Sequence, residues 1–214
     1  MRMEKIGLLL DLLKSEKLRL VILFGSYVSE KNYNDIDVYC LTNSGSSWQN
    51  FRIGNFDVLK VNIDEFNRML RLLDPMLCTE PFLSGRLIYG NREEYEDIKQ
   101  KIMNTKPTYD IISYLYRKSI TLYLDSIEWL SYGSPADSLS CLSYSISYNL
   151  FSKWYNKGGK PTTLRALIGK TKIPFIQDFY KNLRFIKNQR KDKEKLYELI
   201  TLWEKTLISS KDFF

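Results

Sequence analysis

Three short apolar runs in the first third of the chain constrain its fold more than any other feature: LRLVILFG (18–25), DIDVYCLT (35–42) and FDVLKVN (56–62). Each has the length of a strand and is bounded by turn residues or charge. Continuous apolarity on a strand implies burial on both faces, so the runs predict a sheet covered by helices. Two of the runs carry carboxylates where apolar side chains would cost nothing. Asp35 and Asp37 stand one residue apart, eight residues beyond Gly25-Ser26, and Asp57 lies among Phe56, Val58, Leu59 and Val61.

Helical signals surround these strands. Ile6, Leu9, Leu10 and Leu13 fall at helical spacing in an opening amphipathic helix. NSGSSWQN (43–50) reads as a polar loop, and FRIGNFDV as a short strand, a turn at Gly54-Asn55 and the strand 56–62. Asp64 is placed to cap a helix running through Leu72-Leu73, with Pro75 ending it. RLIYG (86–90) predicts a fourth strand or an edge piece, and Asn91 a cap for the charged helix that follows.

From Thr108 the pattern is helical throughout. One long segment ends at Gly133. A second starts with Ser134 as cap and Pro135 at its first position, and stops at Gly158-Gly159. Its many serines weaken it in isolation, so tertiary contacts must hold it. A basic stretch with two shorter helices comes next. The last helix, 192–208, carries Leu196, Leu199, Ile200, Trp203 and Leu207 on one side. The expected class is α+β: a small mixed β-sheet with flanking helices over 1–106, followed by an all-α helical bundle over 107–214.

Composition removes whole classes of chemistry. The 214 residues contain no histidine, which excludes Ser-His-Asp and Cys-His catalysis and histidine-ligated zinc. Cys40, Cys78 and Cys141 are far apart and form no CxxC, so they are expected as reduced core residues of a cytoplasmic protein. No apolar run reaches membrane-spanning length, and the opening segment, broken by Asp11 and Lys14, is no signal peptide. The net charge of +7 falls in the second half, with 12 Lys and Arg against 3 Asp and Glu over 157–195. That imbalance suits a polyanion such as RNA or a nucleoside triphosphate, or else marks a solvated lysine-rich face.

The carboxylates set the candidate site. Residues i and i+2 of a strand share a face, so Asp35 and Asp37 stand about 6.5–7 Å apart on one side. Ile36, Val38 and Cys40 point the other way, into the core. Two carboxylates so close repel, and a divalent ion between them removes that cost. Oxygen ligands without Cys or His select Mg²⁺ or Mn²⁺. Gly25 lets a phosphate approach the backbone, and the Ser26 hydroxyl can donate to it. Asp57 completes a three-carboxylate cluster if its strand lies beside that of Asp37.

LFGSYVSEKNYNDIDVYCL followed by FDVLKV resembles the nucleotidyltransferase superfamily of the DNA polymerase β type, closest to the minimal nucleotidyltransferases and to antibiotic nucleotidyltransferases with an added helical domain. The resemblance covers residues 18–62 well and 63–104 loosely. It implies that Gly25 and Ser26 hold nucleotide phosphates, that Asp35 and Asp37 ligate the metals, and that Asp57 activates an acceptor hydroxyl. It implies transfer of a nucleoside monophosphate from ATP or another triphosphate, with release of pyrophosphate. The acceptor would be an RNA or tRNA 3′ end, a protein hydroxyl, or, less in keeping with a basic second half, a cationic small molecule.

The helical half is open to two readings at each point. Lys153, Lys157 and Lys160 lie near the Gly158-Gly159 turn within reach of a triphosphate tail, or serve only the helix dipole. Tyr114, Tyr116, Tyr123, Tyr144 and Tyr148 offer base stacking, or pack. Against the enzyme stands a non-catalytic nucleotide- or RNA-binding module of the same fold. A purely structural helical protein leaves the charged strands unexplained.

Overall fold

A computed structural model describes residues 2–13, 17–25, 28, 36–188, 193–209 and 213–214. The chain forms two compact units: 1–105 with 161–163, and 106–160 with 164–214.

The first unit is built on a mixed five-stranded sheet among the described residues. Helix α1 (Arg2–Leu13) precedes β1 (Leu18–Phe24), β2 (Ile36–Thr42), β3 (Trp48–Ile53) and β4 (Phe56–Asn62). Helix α2 (Ile63–Arg71), a π-helical turn (Pro75–Thr79), α3 (Glu80–Ser84), β5 (Arg86–Gly90) and α4 (Arg92–Asn104) complete it. The strand order is β3-β4-β2-β1-β5. β2 and β4 run parallel; the other pairs are antiparallel.

The strands bury both faces, as their continuous apolarity requires. On one face Val21, Leu23, Ile36, Val38, Cys40, Phe56 and Val58 form a core with Leu9 and Leu13 of α1, against which Ile6 and Leu10 also pack. On the other, Tyr39 is fully buried and donates its hydroxyl to the Leu77 carbonyl at 2.7 Å. Its ring meets Phe82 edge-on, and Phe82 in turn packs on Phe66 and stacks on Tyr95. Burying aromatic rings of this size supplies about 1.5–3 kcal/mol each by area alone.

Local details differ from the sequence expectations. β3 begins at Trp48, so the polar loop yields its last three residues to a strand. β3 is an edge strand, where exposed Gln49 and Asn50 cost nothing. Asn62, not Asp64, caps α2, accepting from the Glu65 amide at 2.8 Å. β4 runs straight into α2, so the last strand residue is the cap. α2 ends at Arg71, before Pro75; Leu73 takes a left-handed conformation, and buried Asp74 opens the next turn by accepting from the Met76 and Leu77 amides. Asn91 caps α4 as expected.

The second unit is helical: α5 (Tyr109–Ser131), α6 (Pro135–Asn156), α7 (Leu164–Lys170), α8 (Pro174–Asn188) and α9 (Lys193–Ile208). α5 and α6 pack along a seam of small polar residues. Ser138 donates to the Ser126 carbonyl, Ser145 to that of Ser119, and Ser152 to that of Ile112. Buried Trp203 of α9 donates its indole N–H to the Ser145 hydroxyl at 2.9 Å. The serines that weaken α6 alone thus join it to its neighbours. Ser134 precedes α6 but its hydroxyl goes to the Asp137 carboxylate rather than to a backbone amide. Leu196 and Ile200 of α9 are buried with Trp203. No helix among the described residues is long and apolar enough to cross a membrane.

Candidate functional site

Gly25, Asp37 and Asp57 come together where β1 ends and β2 and β4 begin. Register sets this. Phe24 of β1 pairs with Asp37 of β2, so the chain leaving β1 at Gly25 passes beside the Asp37 carboxylate. Asp37 in turn pairs with Asp57 across the parallel β2–β4 ladder. Adjacent strands lie about 4.8 Å apart, so these two carboxylates are next neighbours on one sheet face. Both are half-buried, whereas their flanking partners, Ile36 with Phe56 and Val38 with Val58, are buried on the opposite face against α1.

Gly25 is required twice over. Its φ of +70° lies in the left-handed region, and a Cβ there would come within 2.0 Å of Asp37 Oδ2. The space that its missing side chain leaves is filled by the Asp37 carboxylate. The Val28 amide donates to the Gly25 carbonyl at 3.3 Å, turning the chain immediately after the strand. Ser26 and Asp35, the other two residues expected at this site, lie outside the described residues.

Arg52 is the residue that sequence reasoning missed. It pairs with Asp57 across the β3–β4 hairpin, and its Nε stands 3.5 Å from Asp57 Oδ1. The same Nε donates to the Gly54 carbonyl at 3.2 Å. The signal was present: a two-residue turn at Gly54-Asn55 pairs Ile53 with Phe56 and therefore Arg52 with Asp57. The Arg52 side chain is 61% exposed, so the pair is open to water and salt.

The donor set is oxygen only. Among the described residues no group of three Asp, Glu, Cys or His side chains gathers for a metal ion. The two that do meet, Asp37 and Asp57, suit a hard divalent cation and not a soft one.

Lys153 and Lys160 belong to the helical unit, with Lys157 between them. The Lys153 ammonium lies 5.5 Å from the centre of the Phe213 ring, and Lys157 donates to the Phe214 carbonyl at 3.0 Å. The Lys160 carbonyl accepts from the Trp154 indole N–H at 2.8 Å. Lys170 sits over the Trp154 ring at 4.4 Å. Lys153 and Lys170 thus lie against aromatic rings, and Lys157 against a backbone carbonyl. Of the tyrosines, Tyr148 is buried, Tyr114 and Tyr123 are half-buried, and Tyr116 and Tyr144 are exposed. Cys40 and Cys78 are buried free thiols and Cys141 is a half-buried one.

No family model matches the sequence, and neither does any curated protein. Among solved structures the chain is similar to a nucleotidyltransferase-like protein from Exiguobacterium sibiricum 255-15. The sequences are 14% identical, the TM-score is 0.40, and the match covers 89% of this chain and 71% of that one. At that degree of similarity the likeness assigns no residue a role here.

Proposed function

We propose that the junction of β1, β2 and β4 is a nucleotidyl-transfer site of the polymerase β type. The observation that carries this reading is the register pairing of Asp37 with Asp57, with Asp37 seated on the Gly25 backbone. A protein gains nothing structurally by aligning two carboxylates on neighbouring strands. It gains a binding site for a hard cation and the phosphates that the cation accompanies.

In this reading Asp37 and Asp57, with Asp35, hold Mg²⁺ or Mn²⁺. The ion supplies neutralisation of the charge that grows on the transferring phosphoryl group. Ser26 donates to a phosphate oxygen of the nucleoside triphosphate, and Gly25 keeps the Asp37 carboxylate in place. Asp57 takes the proton of the acceptor hydroxyl as its oxygen attacks the α-phosphorus. The bond from the α-phosphorus to the bridging oxygen breaks, and pyrophosphate leaves. The acceptor is an RNA or tRNA 3′ end or a protein hydroxyl, in keeping with the basic second half, and the chain works in the cytoplasm.

A second reading has one observation in its favour. Arg52 already balances Asp57 without a cation, which suits a module that binds nucleotide or RNA and does not react. Equilibrium binding of labelled ATP in Mg²⁺ and in EDTA tests the shared premise. The transfer reading predicts Mg²⁺-dependent binding that Asp37→Asn weakens about tenfold or more, since a half-buried, charged ligand is lost. Binding that ignores both EDTA and Asp37→Asn rules the cation site out.

A further inference from the structure

Strand β3 ends the sheet, and its outer edge carries backbone groups that the sheet does not use. Among the described residues its one strand partner is β4. Which groups face outward follows from the hairpin. Gly54 and Asn55 form a two-residue turn, with Gly54 at a φ of +58°, so the flanking Ile53 and Phe56 are a hydrogen-bonded pair. Bonded pairs recur at every second residue, at Phe51 with Val58 and at Gln49 with Lys60. The Asn62 amide, which donates to the Ser47 carbonyl at 3.1 Å, continues the same series. The amides and carbonyls of Trp48, Asn50 and Arg52 therefore point away from β4. Their side chains share one sheet face, the face of Asp57, because Arg52 is the register partner of Asp57. All three are exposed, Trp48 at 54%.

This edge is complementary to itself. Two copies of β3 laid antiparallel with Asn50 opposite Asn50 set Trp48 of each copy opposite Arg52 of the other, since 48 and 52 are equally far from 50. Each opposed pair then has outward backbone groups on both copies and exchanges hydrogen bonds across the seam. Opposed side chains lie on the same face, about 4.5–5.5 Å apart at Cβ. Trp48 meets a guanidinium, the cation most often found over a tryptophan ring. Asn50 meets an amide that donates and accepts as it does itself. Other registers lose this match. Pairing Asn50 with Trp48 or with Arg52 leaves one of the three outward residues without a partner, and pairing Arg52 with itself sets like charges together. The backbone groups accept any strand; the Trp48–Arg52 match, made on both sides of a two-fold axis, selects a second copy.

We propose that β3 is a self-association edge, on which two copies of this chain pair β3 antiparallel about Asn50 and join their sheets into one. The inference does not rest on the reaction proposed for the carboxylate site. Sedimentation velocity of the full chain across the micromolar range tests it, with circular dichroism to check that each variant folds. The expected result is a monomer–dimer equilibrium. Asn50→Pro removes an outward amide and no bond to β4, and is expected to weaken the dimer about tenfold or more. Trp48→Lys faces Arg52 with like charge and weakens it about fivefold or more; Trp48→Glu faces it with opposite charge and holds the constant within about threefold of the unaltered chain. The two Trp48 variants decide the matter if Asn50→Pro does not fold. A chain that stays monomeric overturns the proposal, as does a dimer indifferent to a folded Asn50→Pro. Equal losses in Trp48→Lys and Trp48→Glu overturn the pairing of Trp48 with Arg52, since Trp48 then acts by its apolar area alone.

Discussion

Asp37 and Asp57 are register partners on adjacent parallel strands, and the first of them rests against the backbone of Gly25. The relationship ties three distant stretches of sequence to one point. A disturbance at any of the three is felt by the other two.

Gly25→Ala displaces the Asp37 carboxylate, since the new methyl carbon would stand 2.0 Å from Oδ2. It also forces a residue with a Cβ into a left-handed conformation, at about 1–2 kcal/mol. Thermal unfolding is expected to show that loss, and Mg²⁺-dependent nucleotide binding is expected to fall with it. Unchanged stability and unchanged binding together would show that Asp37 does not depend on this contact.

Arg52→Ala removes a charge that competes for Asp57. The pair is largely exposed, so the variant is expected to change stability by less than about 1 kcal/mol. Divalent-cation affinity, read by titration calorimetry, is expected to rise, because Asp57 no longer has to leave an arginine. A fall in affinity would mean that Arg52 helps to seat the nucleotide rather than blocking the site.

Tyr39 gives the sheet unit an alkaline limit. Burial raises its hydroxyl well above the ordinary value of 10.0, helped by the charges of Cys78 and Asp74 nearby. A group raised on folding stabilises fully below its unfolded value, and that stability is lost as pH climbs from there toward the folded value. Denaturant unfolding from pH 8 to 11, values spanning the ordinary titration of a phenol, is expected to show a decline beginning near pH 10. Tyr39→Phe is expected to flatten the decline while losing about 1 kcal/mol at neutral pH with the Leu77 hydrogen bond. Equal alkaline slopes in both proteins would place the titrating group elsewhere.

Asn149 is fully buried in α6, and neither the oxygen nor the nitrogen of its amide has a hydrogen-bond partner among the described residues. Leaving such groups unpaired costs about 1–3 kcal/mol. Asn149→Leu, which keeps the number and branching of side-chain heavy atoms, is expected to raise the unfolding temperature of the helical unit. A lower temperature would show that the amide holds a buried water that the leucine displaces.

Much of this was legible locally. Alternation along DIDVYC placed Ile36, Val38 and Cys40 on one side and Asp37 on the other, because strand periodicity is a property of neighbouring residues. The apolar runs located β1, β2 and β4 to within a residue for the same reason. The start of β3 was hidden, because an edge strand tolerates the polar residues that also make loops. The cap of α2 was misassigned between side chains of equal aptitude, Asn62 against Asp64, while Ser134 stands at the cap position of α6 as expected but turns its hydroxyl to Asp137. The adjacency of β2 and β4 is a long-range fact that no local pattern encodes; the sequence supplied only the condition. The partners of Lys153 and Lys157 at Phe213 and Phe214 were invisible for the same reason.

The central claim is that the Asp37–Asp57 pair supports nucleotidyl transfer. The direct measurement is incubation of the protein with each α-³²P-labelled nucleoside triphosphate and Mg²⁺ or Mn²⁺, with and without total tRNA. Asp37→Asn and Asp57→Asn run alongside. The account predicts label on RNA or protein that falls at least about a hundredfold in either variant, the scale of losing a general base or a metal ligand. Transfer that persists undiminished in both variants would contradict it.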